Sequence, residues 1–302
     1  MYKGFKITDK KLMCRDFEYK EGETYEIDKA NEIKLCKKGF HACKNPLDCF
    51  AYYLPATSVY HEVELAELSQ EISTDSKRVG AKITIGKLLD IPSIIDAVIN
   101  LRVQSALQGG NRSALQGGDR SALQGGDRSA LQGGDESALQ GGYRSALKGG
   151  NRSALQGGNR SALQGGYESA LQGGDWSALQ GGSRSALRGG HGSALQGGHE
   201  SALQGGHGSA LRGGHGSALQ GGHGSALQGG EGSALQGGDK SVVYGQGNTC
   251  KVKGGILSVL AILYTYANGD QAVEHTIVDG EKIKANTWYM YDGEEFIETS
   301  LG

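Results

Sequence analysis

Four arginines recur every sixteen residues, at Arg112, Arg128, Arg144 and Arg160, and the next position in that series is Trp176. Guanidinium groups at a fixed repeat suit a row of phosphates or carboxylates, because each planar fork donates two parallel hydrogen bonds to anionic oxygens. Tyr143, next to Arg144, and Trp176 add ring faces that stack on a base or anchor in a protein pocket. On successive rungs of one structure the four arginines repel one another. A chain that tolerates this repulsion points to an anionic partner. Duplication of a favoured Asn-Arg or Asp-Arg corner, with Asp127 partly neutralising the row, is the plainer origin.

Two further clusters carry chemistry-bearing side chains. His191, His199, His207, His215 and His223 recur every eight residues, and Gly follows four of the five. Imidazoles at such a repeat can bind metal or change charge below about pH 6.5. The reading preferred for them is plainer: His occupies a corner as Asn and Asp do elsewhere. Cys36, His41, Cys43 and Cys49, with Cys14 upstream, are residue types that zinc takes. Their spacing, C-x4-H-x-C-x5-C, lacks paired C-x2-C knuckles, so ordinary buried or partly exposed thiols are expected. No metal and no cofactor is expected.

The arginine and histidine spacings belong to a larger repeat. From Ser105 to Lys240 the chain is seventeen octapeptides of the form Ser-Ala-Leu-Gln-Gly-Gly followed by two variable residues. The fourth position departs from Gln only at Lys148, Arg188 and Arg212. These octads hold 39 of the 52 glycines, so the flanks have near-normal composition. A long helix is excluded, since Gly-Gly in each octad costs roughly 2 kcal/mol against Ala. Disorder is the competing reading for a Gly/Ser/Gln-rich tract. The regular Leu argues for stacked rungs, where each side chain meets its own copy about 4.8 Å away.

Eight residues are too few to close a coil, so two octads make each turn. Leu and Ser then face inward, and Ala and Gln outward. Gly-Gly together with Asn, Asp or His supplies corners with positive φ. In alternate octads the eighth position reads Arg120, Glu136, Arg152, Glu168, Arg184 and Glu200, which places opposite charges on neighbouring rungs. The other octads carry the Arg112–Trp176 series. Duplication of a four-octad block gives the same order, but only rung stacking requires the charges to touch. No octad is stable alone, and the rod, on the order of 40 Å long, needs capped ends.

The flanks read as small domains. Residues 1–104 suggest an α+β domain with strands at Tyr2–Ile7, Thr24–Ile27, Ile33–Cys36, Ser58–Leu65 and Ala81–Ile85. A short helix starts at Asn45-Pro46 and runs through Tyr53. The apolar stretch Ile91–Val103 is expected to cover the first coil. After the degraded octad Ser241–Tyr244 comes the hydrophobic run Ile256–Tyr266. Turns at Asn268-Gly269-Asp270, Asp279-Gly280 and Asp292-Gly293 then punctuate a small β meander in 241–302. The fold expected is mainly β: a solenoid over 105–240, capped by these two domains.

The chain has 302 residues, a net charge of −2 and 37% hydrophobic residues. That is too little apolar mass for one large core. No run of eighteen apolar residues predicts a membrane-spanning helix, and the N-terminus lacks a signal-peptide run. Five cysteines do not read as a disulfide framework. A soluble cytoplasmic protein without membrane contact is expected.

The segments LCKKGFHACKNPLDCFAYY, DSKRVGAKITIG and VDGEKIKANTWYMYDGEEF resemble a phage- and prophage-associated family of unknown function. Its members place a short repeat array between an N-terminal domain and a small C-terminal β domain. The resemblance implies a mobile-element origin and no reaction. The octads also loosely resemble the β-roll heads of trimeric adhesins. KGFHAC, Lys38 to Cys43, is similar to segments of ADP-ribosyltransferase-like folds, but no Glu stands in a suitable motif. The expected function is therefore non-enzymatic. The rod presents Arg112, Arg128, Arg144, Arg160, Tyr143 and Trp176 to a host macromolecule, a host protein first, a nucleic acid or other anionic ligand second, with counter-defence as a setting. The alternatives are an N-terminal enzyme on a repeat stalk and a structural rod that oligomerises through its flat Ala/Gln face.

Overall fold

The computed structural model describes residues 2–15, 17–27, 33–35, 37–53, 57–71, 73, 76–90, 93–94, 97–98 and 107–301. The chain divides into two compact units, 1–104 and 105–302.

The first unit contains strands β1 (Tyr2–Asp9), β2 (Met13–Cys14), β3 (Phe17–Glu18), β4 (Thr24–Glu26), β5 (Phe40–Cys43), β6 (Ser58–Leu68) and β7 (Lys77–Leu89). Its main sheet runs β4-β7-β5-β1-β6, and β6 also pairs with β7, so the sheet closes on itself. Closure leaves fewer open edges, and a register shift between His61 and Val63 helps β6 curve. More of this unit is strand than the sequence reading assigned. Asn45 caps a short 3-10 helix, Pro46–Ala51, by accepting from the Leu47 N–H, which stops before the expected Tyr53. Of the strand expected at 33–36, Cys36 lies outside the described residues, and Lys34 forms an isolated bridge with Lys38. β5 was not expected. Gly39, at φ +122°, makes the turn into it, and Phe40 packs in the core at 6% exposure. The covering role expected for Ile91–Val103 falls largely outside the described residues.

In the second unit every octad yields one short strand, from β8 (Leu107–Gln108) to β24 (Ala234–Gln236). Even-numbered strands form one parallel sheet and odd-numbered strands another. Within each sheet Ala stacks on Ala, Leu on Leu, and the fourth residue on the fourth, sixteen residues apart. Two octads therefore make each coil. From Leu123 to Leu235 the leucines are 0–3% exposed and form one continuous core. From Ser129 onward Ser is buried beside them with its hydroxyl hydrogen-bonded, whereas the Ser121 hydroxyl is buried without a partner. The Ser169 hydroxyl donates to the Gly150 carbonyl at 3.3 Å and accepts the Ser153 N–H at 3.3 Å.

The corners are built differently from the expectation. Positive φ belongs to the eighth residue, at +54° to +60° for Arg112, Glu136, Arg152, Trp176 and their equivalents. It does not belong to the Gly-Gly pair, which is needed for room. A Cβ on Gly181 would stand 2.7 Å from the Cβ of Ser185, and one on Gly158 would stand 3.0 Å from the backbone of Gly142 and Tyr143. The seventh residue caps the next rung. Asp127 Oδ1 accepts the Tyr143 N–H at 2.9 Å, and Asn151 Oδ1 accepts that of Tyr167 at 2.9 Å.

Past the octads the sheets continue. Strand Val242–Gln246 stacks on β23 (Ala226–Gly229), Lys251–Lys253 on β24, and Val259–Thr265 on Val242–Gln246, all parallel. The direction then reverses. Gln271–Ile277 pairs antiparallel with Val259–Thr265, Trp288–Tyr291 with Lys251–Lys253, and Phe296–Thr299 with Trp288–Tyr291. The expected turns at Asn268-Gly269-Asp270 and Asp292-Gly293 make two of these connections. The antiparallel strands close the end of the parallel stack, where their side chains, including Tyr289 and Tyr291, join the leucine core.

Candidate functional site

The two corners of the coil carry the same octad chemistry to opposite ends. On the corner preceding the even strands the charges pair: Arg120 with Glu136 at 3.1 Å, Arg152 with Glu168 at 3.0 Å, and Arg184 with Glu200 at 2.9 Å. Arg184 also reaches Glu168 at 3.9 Å, so the Glu168 carboxylate, its side chain only 2% exposed, lies between two arginines. The contact that rung stacking required is present. Outward-facing Ala was expected throughout, yet Ala138, Ala154, Ala170 and Ala186 on this sheet are 0–3% exposed. Beyond the charged ladder, where Gly216 and Gly232 replace its side chains, Ala218 and Ala234 are half-buried. Ala122 and Ala202, which follow Arg120 and Glu200 of the ladder, are half-buried as well, so full burial is confined to the middle of the even sheet.

The ladder makes a contrast that can be measured. Replacing Glu168 with Gln leaves two arginines facing each other beside a buried amide, at an expected cost of about 2–3 kcal/mol. Glu136→Gln breaks a pair whose arginine is 78% exposed, and its expected cost is below about 1 kcal/mol. Denaturant melts of both variants check the difference.

The corner preceding the odd strands is open. Arg112, Arg128, Arg144 and Arg160 stack on successive rungs, all four are exposed, and none forms an ion pair among the described residues. Arg160 Nη1 donates to the Tyr143 hydroxyl at 3.1 Å, and the Arg144 guanidinium lies 5.1 Å from the Tyr143 ring centre. Trp176 continues the row at 67% exposure. Asp127 stands at the same corner, with one carboxylate oxygen held by the Tyr143 N–H. Beside the row the alanines of the odd sheet, Ala114 to Ala226, remain exposed. With the Gln, Lys148 and Arg212 side chains they line a shallow groove of about 1070 Å³. The stripe drawn from the sequence is therefore assembled, and it edges a groove that the sequence did not reveal. The missing signal is which Ala row is covered, and octads identical from Ser to Gly-Gly carry no trace of it.

The histidines stack as expected on two corners. Ring centres are 5.1 Å apart for His191 and His207, 6.0 Å for His207 and His223, and 4.9 Å for His199 and His215. His199 Nδ1 accepts the His215 N–H at 3.1 Å, the same capping that Asn and Asp perform. That bond supports the corner role.

The cysteine cluster is dispersed among other partners. Cys14 is hydrogen-bonded to the Tyr53 hydroxyl at 2.7 Å, Cys49 donates to the Phe5 carbonyl at 3.5 Å, and Cys43 is buried. Cys36 lies outside the described residues. Among the described residues no three metal-ligating side chains converge. Cys14, Cys43 and Cys49 instead line a cavity of about 640 Å³ in the first unit, along with β5, the KGFHAC strand. No carboxylate lies among its described lining residues.

His41 belongs to this cavity wall. Burial first, then the Lys6 and Lys77 charges, push its imidazole down to about 4. A histidine whose folded value is depressed is neutral in the fold while the unfolded chain already binds a proton. Stability of the first unit is thus expected to fall on acidification from about pH 6.5 to about pH 4, by roughly 2 kcal/mol. His41→Gln should flatten that part of a pH-dependent melting curve.

Among the described residues no helix is long and apolar enough to cross a membrane. No curated protein and no solved structure matches the chain. Residues 2–97 match the model of one family, described as a domain of unknown function (DUF7666). Over that part, about a third of its length, the chain is similar to a family whose description carries no activity.

Proposed function

We propose that this is a non-enzymatic binding protein whose solenoid presents the Arg112–Arg160 stripe, with Tyr143 and Trp176, to an anionic macromolecule. An acidic protein surface is the partner this reading favours. The observation that carries it is the difference between the two corners. The same repeat neutralises arginine with glutamate on one corner and leaves four exposed, stacked arginines unneutralised on the other, beside an open groove. Like charges on neighbouring rungs are unfavourable, so their retention fits a row that is neutralised by a partner. The resemblance of the flanking segments to phage-associated proteins suggests a host protein as that partner, and counter-defence as the setting.

The experiment is a binding titration with an acidic peptide and, separately, a single-stranded oligonucleotide, at low and moderate salt. Salt-sensitive binding of the peptide that depends on the four arginines supports the reading. Preference for the oligonucleotide would move the partner to nucleic acid. A concentration-dependent oligomer with no anion binding would favour the structural rod.

A further inference from the structure

Lys6, at the middle of β1, is 6% exposed, and no carboxylate pairs with it among the described residues. Its ammonium donates to the His41 carbonyl at 3.3 Å, contacts Cys14 Sγ at 3.8 Å and lies 4.7 Å from the Tyr19 ring centre. A buried cation without a counter-charge is costly to keep, and strand β1 has no need of a lysine to pair with its neighbours. Lys6 lines the cavity of about 640 Å³, a volume typical of small-molecule sites. Lys77, 8% exposed, and the exposed Arg15 and Lys37 line it too.

The remainder of the wall is aromatic. Tyr19 and Phe40 are buried, whereas Phe17 at 40% and Tyr52 at 49% leave ring surface uncovered. The Lys77 ammonium sits over Tyr52, 4.0 Å from its ring centre. Cations lining a wall with no carboxylate among its described residues disfavour a cationic ligand, and exposed ring surface favours a flat one. A ligand that answers both carries an anionic group on a planar ring system.

We propose that this cavity binds a nucleotide, its base against the aromatic wall and its phosphate at Lys6 and Arg15. The phosphate supplies the counter-charge that Lys6 lacks. Burial holds the Lys6 ammonium below its ordinary value, and an anion beside it restores the charged form. This site is separate in chemistry and in residues from the solenoid stripe, and neither reading depends on the other.

Calorimetric titration of the full chain with ribonucleoside mono- and diphosphates, free nucleosides and inorganic pyrophosphate tests it. At least one nucleotide is expected to bind with a Kd on the order of micromolar. Its nucleoside and pyrophosphate should each bind at least about 10-fold more weakly. Lys6→Met removes the charge at nearly constant volume and is expected to fold at least as stably. Arg15 has φ +56°, so Arg15→Gly removes a cation from a backbone that glycine adopts freely. Each variant should weaken nucleotide binding about 10-fold or more, while the fourfold arginine-to-glycine solenoid variant binds as the wild type does. Absence of binding by every nucleotide at millimolar concentration overturns the proposal. So does binding that survives both variants, binding that disappears with the solenoid arginines, or pyrophosphate matching the nucleotide.

Discussion

A chain carrying Arg112→Gly, Arg128→Gly, Arg144→Gly and Arg160→Gly is expected to fold as the wild type does and to bind an acidic partner about 100-fold more weakly. The folding half of this expectation comes from backbone geometry. All four arginines hold left-handed conformations, with φ between +56° and +60°. Such a conformation costs an ordinary residue about 1 kcal/mol and glycine almost nothing. The same corner already carries Gly192, Gly208 and Gly224 at φ +62° to +66° on later rungs. Glycine's greater freedom in the unfolded chain offsets part of the gain, and removing four stacked like charges adds to it. The thermal midpoint should therefore stay within a few degrees of the wild type or rise. The binding half comes from charge. Losing two or more effective charge pairs is worth about 3 kcal/mol, which is the stated 100-fold. A control that breaks Arg120 and Arg184 on the paired corner should leave binding nearly unchanged, because those guanidinium groups are already paired with Glu136 and Glu200. A fourfold variant that binds normally would remove the stripe as the functional surface.

That separation of corners shows what the sequence could and could not disclose about the site. A sixteen-residue coil follows from the octad length, and it alone sorts the eighth residues into an alternating series and an arginine series. The in-register pairing of Ala138 with Ala154 and Ala162 with Ala178 places both series as the sorting required. Which Ala row is covered is a different matter. Ala154 and Ala162 have identical sequence neighbours from Ser to Gly-Gly, yet one is fully buried and the other exposed. The difference is a tertiary effect, and no single octad encodes it. The cavity of the first unit was hidden for a related reason. Lys6, Phe40 and Lys77 come together through the pairing of β1 with β5 and of β5 with β7, strands far apart in sequence, and Cys14 joins them from β2. Single-strand periodicity carries no trace of that order.

The elements themselves were legible in proportion to their repetition. Seventeen copies of Ser-Ala-Leu-Gln made strand, register and inward Leu and Ser readable together. In the first unit four of the five expected strands are present, longer or shorter by a few residues, while Phe40–Cys43 escaped notice behind a cysteine-rich phrase. Its four residues gain their strand character from pairing with β7 at Gly80, Val79, Arg78 and Lys77, a tertiary effect. The torsional role given to Gly-Gly was the main physical misreading. Glycine is used both where φ is positive and where space is short, and composition does not distinguish the two.

The two uses can be separated within one octad, and the expected difference is large. Gly205→Ala is expected to cost about 3 kcal/mol or more, and Gly208→Ala about 1 kcal/mol or less. A Cβ on Gly205 would stand 2.6 Å from the Ser209 Cβ and 2.9 Å from both the Leu211 Cδ1 and the Ser209 hydroxyl. Neither neighbour can retreat. Ser209 donates to the Gly190 carbonyl at 3.2 Å, and Leu211 is 2% exposed inside the leucine stack. Relief therefore requires the corner backbone to move away from the rungs on either side, at the expense of ladder hydrogen bonds such as Gly205 N–H to Gln220 at 2.9 Å. Gly208 lies three residues away at φ +64°, and no atom stands within 4 Å of a Cβ added there. Its substitution meets only the torsional cost, which Arg and Glu already bear at the same position of other octads. Because rungs are coupled to their neighbours, the Gly205 variant should also lose hydrogen-exchange protection at adjacent coils, while the Gly208 variant keeps it. Equal destabilisation at the two positions would mean that the octad needs both glycines for torsion, and the account of the corner as a crowded joint would fail.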